Sequence, residues 1–229
     1  MRYPRAVRQV SFQRARSAEK KRQRAEALVE AARSVALEAG VASVTLTAMA
    51  ARAGMHYSAV RRYFSSYKEV LLHLAAESWQ RWSASVCTGL DQPGPMSPER
   101  VVEILVTGLA ADPLFCDLLS NLHLHLEHDV DVERVIELRR VSAAAVMASA
   151  GAIERALPRL GPRGALDLLL AAYSLGSVLW QRAHPPETLT NAYSDEPELS
   201  PGWDLDFTTA LTRLLTATCV GLLDGSRPI

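Results

Sequence analysis

Residues 45–64, TLTAMAARAGMHYSAVRRYF, constrain this chain of 229 residues more than any other stretch. Two short patterns of helical spacing, LTAMAARA and Tyr57 to Phe64, meet at Gly54, so only a tight turn fits between them. Thr45 can cap the first, because its side-chain oxygen can accept from a free backbone N–H of the first turn. Gly54 ends it, either because the turn needs a positive φ or because backbones approach closely there. Ala50, Gly54 and Val60 stand at offsets of four and ten. A small residue, a turn glycine and an aliphatic residue are what two closely crossing helices require, and Leu46, Met49 and Phe64 fall where they fill the small core beneath.

A helix-turn-helix of this kind can lay its second helix in a DNA major groove about 12 Å wide. Tyr57, Ser58, Ala59, Arg61 and Arg62 are the outward candidates, joined by Thr47 from the first helix. An arginine in that position can grip guanine O6 and N7 with two hydrogen bonds, worth about 1–3 kcal/mol of discrimination. Arg61 or Arg62 is the expected reader. The plainer alternatives are phosphate contact by both, or a bridge from Arg62 to Glu69. His56 either caps the second helix or donates to phosphate.

Charge is distributed to match. Residues 1–70 hold 14 Lys+Arg against 5 Asp+Glu, while the whole chain is neutral, so the remainder is as acidic as the front is basic. A basic front on an acidic body predicts that only the first part meets a polyanion. Residues 1–16 carry five arginines and no acid, which reads as a flexible basic arm, with or without a DNA partner.

The rest reads as all-α. Helical spacing runs from Ser17 to about Ala39, from about Tyr67 to Cys87, and then near 98–110, 113–128, 131–156, 162–183 and 204–224. Ser97 with Pro98, and Asp131, mark helix starts. The proline-rich 184–203 reads as a long excursion. Cys87, Cys116 and Cys219 are widely spaced in apolar settings and read as buried thiols. No apolar run reaches transmembrane length and no signal-peptide pattern follows the basic N-terminus, so a soluble, cytoplasmic protein with no membrane partner is expected.

The stretch TLTAMAARAGMHYSAVRRYFSSYKEVLL, residues 45–72, resembles the DNA-binding domain of TetR-type transcriptional repressors. The resemblance implies an all-α protein in three parts. These are the arm 1–16, a three-helix helix-turn-helix domain 17–66, and a larger effector-binding and dimerisation domain 67–229. It implies that Thr45 touches phosphate, that Met49 and Ala50 are a core pair, and that Tyr63, paired with Phe64, contacts the DNA backbone. Three positions depart from the family pattern. Arg61 replaces a usual tyrosine, His56 a small capping residue, and Tyr67 a phosphate-binding lysine, with Lys68 one position later.

The implied function is a ligand-responsive dimeric regulator of an operator, with no cofactor. Its dimer interface would be 162–183 and 204–224, both rich in apolar and small residues. The effector pocket would draw on Trp79, Trp82, Phe115, His123, Met147, Tyr173 and Trp180, a composition that suits a hydrophobic or amphipathic molecule. In the stretch NLHLHLEHDVD a helix would put His123 and Glu127 on one face and His125 and Asp129 on the next, beside His128, but no third converging ligand is indicated for either pair, so no metal site is expected. An all-helical enzyme is disfavoured by the absence of HExxH, GxSxG and phosphate-loop motifs. An effector-independent architectural DNA-binding protein would have little use for so large an apolar body.

Overall fold

The computed structural model describes residues 6–199 and 206–225, with side chains from Glu19 onward. Every regular element among the described residues is helical. The chain divides into two compact units, one through Val70 and one from Leu71. The resemblance implies a boundary after residue 66 instead.

In the first unit, α1 spans Ala6–Ala39, a short 3-10 turn Val41–Ser43 follows, and α2 and α3 are Leu46–Arg52 and Tyr57–Val60. Helix α1 therefore begins well before Ser17, and residues 6–16 of the expected flexible arm are helical. Residues 1–5 lie outside the described residues. Arginine, alanine and glutamine are good helix formers, and extending a nucleated helix is far easier than starting one. Helix α3 is shorter than expected, since the backbone loosens into successive turns through Tyr63.

One face of α1 (Leu28, Ala32, Val35, Ala36) is buried, as are Leu46, Met49, Ala50 and Val60. Burying a side chain such as Met49 stabilises the unit by about 1.5–3 kcal/mol. Arg52 fastens α2 to α1 by donating from Nη1 to Ser34 Oγ at 2.6 Å and to Glu38 Oε1 at 2.5 Å, and from Nη2 to Glu38 Oε2.

Helix α4, Tyr67–Leu90, continues into the second unit, which adds α5 (Pro98–Ala110), α6 (Pro113–Asn121), α7 (Val132–Ala156), α8 (Gly161–Ala183), α9 (Glu187–Asp195) and α10 (Phe207–Gly225). Helix starts follow capping chemistry. Ser97 Oγ accepts from Arg100 N, Asp112 Oδ1 from Phe115 N and Asp131 Oδ1 from Glu133 N, at 3.2, 3.0 and 2.9 Å. The excursion 184–203 is not irregular throughout: Pro186 precedes α9, and a 3-10 turn follows at Pro197–Leu199.

Helix α8 is central, packing on α6, α7 and α10, while α10 also covers α5. Trp79 of α4 meets Phe115, Tyr173 and Trp82 edge-on, with ring centroids 5.1, 5.4 and 5.8 Å apart. Gly108 lets α5 press against Trp82, since a Cβ there would lie 3.0 Å from Trp82 Cδ1. Two buried serines join α4 to α7: Ser149 Oγ donates to Ser83 Oγ and Ser83 Oγ to the Ala145 carbonyl, both at 3.0 Å, so neither is left unpaired. No helix among the described residues is long and apolar enough to cross a membrane.

Candidate functional site

The turn between α2 and α3 is a Schellman closure. Met55 N donates to the Ala50 carbonyl at 2.9 Å and Gly54 N to the Ala51 carbonyl at 3.2 Å, which satisfies carbonyls that the end of α2 would otherwise leave open. Gly54 has φ 63°, and a Cβ placed on it would meet nothing within 4 Å. Of the two reasons the sequence left open for this glycine, the positive φ decides and close approach plays no part. Ala50 and Val60 are buried on the inner side.

Both helix starts are capped. Thr45 Oγ1 accepts from Ala48 N at 3.0 Å. Ser58 N donates to His56 Nδ1 at 3.3 Å, with Ser58 Oγ 2.8 Å from the same atom. With Nδ1 accepting, the ring proton of the neutral imidazole lies on Nε2. His56 can therefore cap α3 and still offer a donor, which joins the two roles the sequence reading held apart.

Thr45, Thr47, His56, Tyr57, Ser58, Arg61 and Arg62 are exposed, whereas Ala59, Tyr63 and Lys68 are half-buried. The two arginines differ in their surroundings. Arg61 Nη1 donates to the Ser65 carbonyl at 3.0 Å, closing the turn that follows α3. Glu69 accepts from Ser65 Oγ, and the bridge from Arg62 to Glu69 is not formed. The sequence missed this because the partner of Arg61 is a backbone carbonyl, which leaves no pattern of residue types.

The second unit holds a cavity of about 400 Å³, lined by Trp79, Leu119, Leu122, His123, Glu127, Leu138, Arg139, Ser142, Ala143, Val146 and Tyr173. Of the expected pocket residues, Trp79, His123 and Tyr173 line it. Burial holds the Tyr173 phenol above its ordinary range, with the charge of Arg139 pulling the other way. The other expected residues lie elsewhere. Trp82 and Phe115 are buried in the core behind Trp79. Met147 is 62% exposed, because the helical period of α7 turns Ser142 and Val146 to the cavity and the next residue away. Trp180 stacks on His184 at 3.8 Å and meets Phe207 edge-on at 5.3 Å.

The histidine-rich stretch leaves α-helical geometry. Leu122–Leu126 is a π-helical turn in which Glu127 N donates to the Leu122 carbonyl at 3.2 Å, and Asp129 follows at φ 55°. The wider turn swings Glu127 against Arg139 of α7: Arg139 Nη2 donates to Glu127 Oε2 at 2.6 Å and lies 3.2 Å from His123 Nδ1. His123 Nδ1 is itself 3.3 Å from Glu127 Oε2, and His128 Nε2 lies 3.1 Å from the His123 carbonyl oxygen. No group of three or more His, Cys, Asp or Glu suited to a metal ion occurs among the described residues. The sequence raised Glu127 only as a partner for histidine and gave no signal for Arg139, since the two meet through a π-turn and tertiary packing.

A family model described as tetracyclin repressor-like, C-terminal domain, matches residues 76–226. Among solved structures, the chain is similar to the fatty acid degradation regulator FadR from Bacillus halodurans. They share 16% identity and a TM-score of 0.53, with 90% of this chain and 97% of that one covered. It is similar as well to a TetR/AcrR-family transcriptional regulator from Thermobifida fusca, at 16% identity and a TM-score of 0.51, with 90% and 100% covered. At such identity these likenesses establish the fold alone. No curated protein matches the sequence.

Proposed function

The chain belongs to the tetracyclin repressor-like family, whose members are DNA-binding transcriptional regulators and not enzymes, and on that premise we propose that it is a dimeric repressor released from its operator by a small amphipathic effector. The observation that carries the DNA half is the exposed polar face of the Schellman-closed helix pair. Thr45, Thr47 and His56 sit at the helix starts, and Arg62 lies just beyond α3. The basic excess of residues 1–70 adds the sequence-independent attraction to phosphate.

The dimer half of the proposal rests on the outer faces of α8 and α10. Leu170 and Val178 on α8 are 51% and 59% exposed with Ser174 between them, and Val220 on α10 is 40% exposed. An uncovered apolar stripe beside small residues suits packing against a second copy. The effector half rests on the cavity. Trp79 lines it from α4, the helix whose first turn, from Tyr67, belongs to the N-terminal unit. A ligand that prefers one placement of α4 would bias the spacing of two reading heads about 34–36 Å apart, one turn of DNA.

The test is the binding of full-length protein to the promoter region beside its own gene and to random duplex, between 50 and 200 mM salt. Specific binding that falls by about 10³-fold or more over that range supports a dimer gripping many phosphates. Equal affinity for both duplexes at all salts defeats the operator reading. Architectural binding without an effector would show the same salt slope and no sequence preference.

A further inference from the structure

Resting on the effector reading of the cavity, we propose that the ligand carries a hydrogen-bond-donating, preferably ammonium, head on an apolar body, and that Glu127 is the group that selects it. The cavity is lined mainly by apolar side chains, Trp79, Leu119, Leu122, Leu138, Val146 and Tyr173, and its charged groups converge at His123, Glu127 and Arg139. Glu127 Oε2 already accepts from Arg139 Nη2 and lies 3.3 Å from His123 Nδ1. Its other oxygen, Oε1, is buried and has no hydrogen-bond partner among the described residues.

A carboxylate oxygen has room for two donors, and leaving one buried without any is costly. A ligand N–H or O–H brought against Glu127 would complete it. The charges point the same way. Arg139 and Glu127 cancel each other, so an anionic head would meet an existing carboxylate and compete with it for the guanidinium. A cationic head meets an unsatisfied acceptor instead, with the aromatic rings of Trp79 and Tyr173 on the same cavity wall. The 14% exposure of the Glu127 side chain keeps this oxygen out of bulk water, which strengthens the preference.

Three probes with one body and different heads test it: 6-phenylhexylamine, 6-phenylhexan-1-ol and 6-phenylhexanoate, titrated into full-length protein and followed by tryptophan fluorescence and calorimetry. The amine should bind about tenfold or more tighter than the carboxylate, with the alcohol between. Glu127→Gln, which keeps the shape and frees Arg139, should reverse the order of amine and carboxylate. Should that variant fold poorly, Arg139→Met serves instead and should widen the amine's advantage. Val146→Trp, which fills the cavity, should abolish binding of all three. A carboxylate that binds wild type as tightly as the amine overturns the head-group assignment while the cavity stands as the effector site, provided Val146→Trp still blocks it. No binding by any probe, or binding indifferent to Val146→Trp, overturns both readings.

Discussion

Arg61 Nη1 donates to the carbonyl of Ser65 at 3.0 Å, whereas the guanidinium of Arg62, its exposed neighbour, makes no hydrogen bond or ion pair among the described residues. The first guanidinium closes a turn, and the second is held by no side chain or carbonyl among the described residues. Arg62 is therefore the better candidate for base recognition. Arg62→Ala should weaken operator binding by about 1–3 kcal/mol while binding to random duplex changes less. Arg61→Ala should lower both together by loosening the turn. Fluorescence anisotropy on the two duplexes separates them, and equal losses on both for Arg62→Ala would reassign it to a phosphate contact.

Gly54 yields a prediction with a built-in control. Its φ of 63° lies in the region where a Cβ costs about 1–2 kcal/mol, and nothing around it would clash with one. Gly54→Ala should destabilise the N-terminal unit by that amount in chemical denaturation. Gly54→Asn should lose much less, since asparagine tolerates this conformation. If the two substitutions cost the same, the φ argument fails and some unseen contact must be at work.

The helix-turn-helix was legible because its constraints are local. A cap, a small residue, a turn glycine and an aliphatic residue at fixed offsets specify one crossing, and Ala50 and Val60 are buried where that pattern requires. The cavity was half legible. Trp79 and Tyr173 come from apolar stripes and line it, but Trp82 and Phe115 come from equally apolar stripes and are core. Only the packing of α8 against α6 and α7 decides which side of a stripe is left open. Arg139 and the role of Glu127 were illegible, since a π-turn of five residues shifts the register by an amount that no residue type announces.

The apolar stripe on α8 predicts an oligomeric state. Val178 is 59% exposed and Leu170 51%, with Ser174 a turn from each. Val178→Asp should convert a dimer to a monomer in sedimentation and abolish operator binding, yet leave the helical content measured by circular dichroism close to wild type, because the residue contributes little to its own core; the melting temperature should fall and lose its dependence on protein concentration. A variant that remains dimeric would move the interface off α8.

Acid sensitivity of the first unit should trace to Glu38. The hydrogen bond from Arg52 holds the Glu38 carboxyl below the usual carboxylate range, against some desolvation and with help from the Arg52 charge. A folded value below the unfolded one means that the stabilisation is present above the ordinary glutamate value of about 4.3 and is lost as pH falls through the folded value. The stability gap between wild type and Glu38→Gln should therefore be constant from pH 7 to about 5 and shrink below about 4. Added salt should narrow it at every pH, because the pair is exposed. Denaturation at a series of pH values, followed by signals from the first unit, measures this directly.

The three cysteines separate by burial, which the sequence treated as uniform. Cys116 and Cys219 are fully buried and Cys87 only partly. Burial, aided by Asp112 and then Asp117, pushes the Cys116 thiol up to about 12, and burial raises Cys219 as well. Since the thiolate is the species that reacts, both chemistry and access protect these two. Iodoacetamide at pH 8 should label Cys87 in the native protein and spare the others, and all three should react alike in guanidinium, as mass spectrometry would show. Cys116 lies on α6 directly between Asp112, which caps that helix, and Leu119, which lines the cavity. Its slow labelling would thus report how often α6 opens, and labelling of Cys116 as fast as Cys87 would mean that α6 does not hold the cavity wall in place.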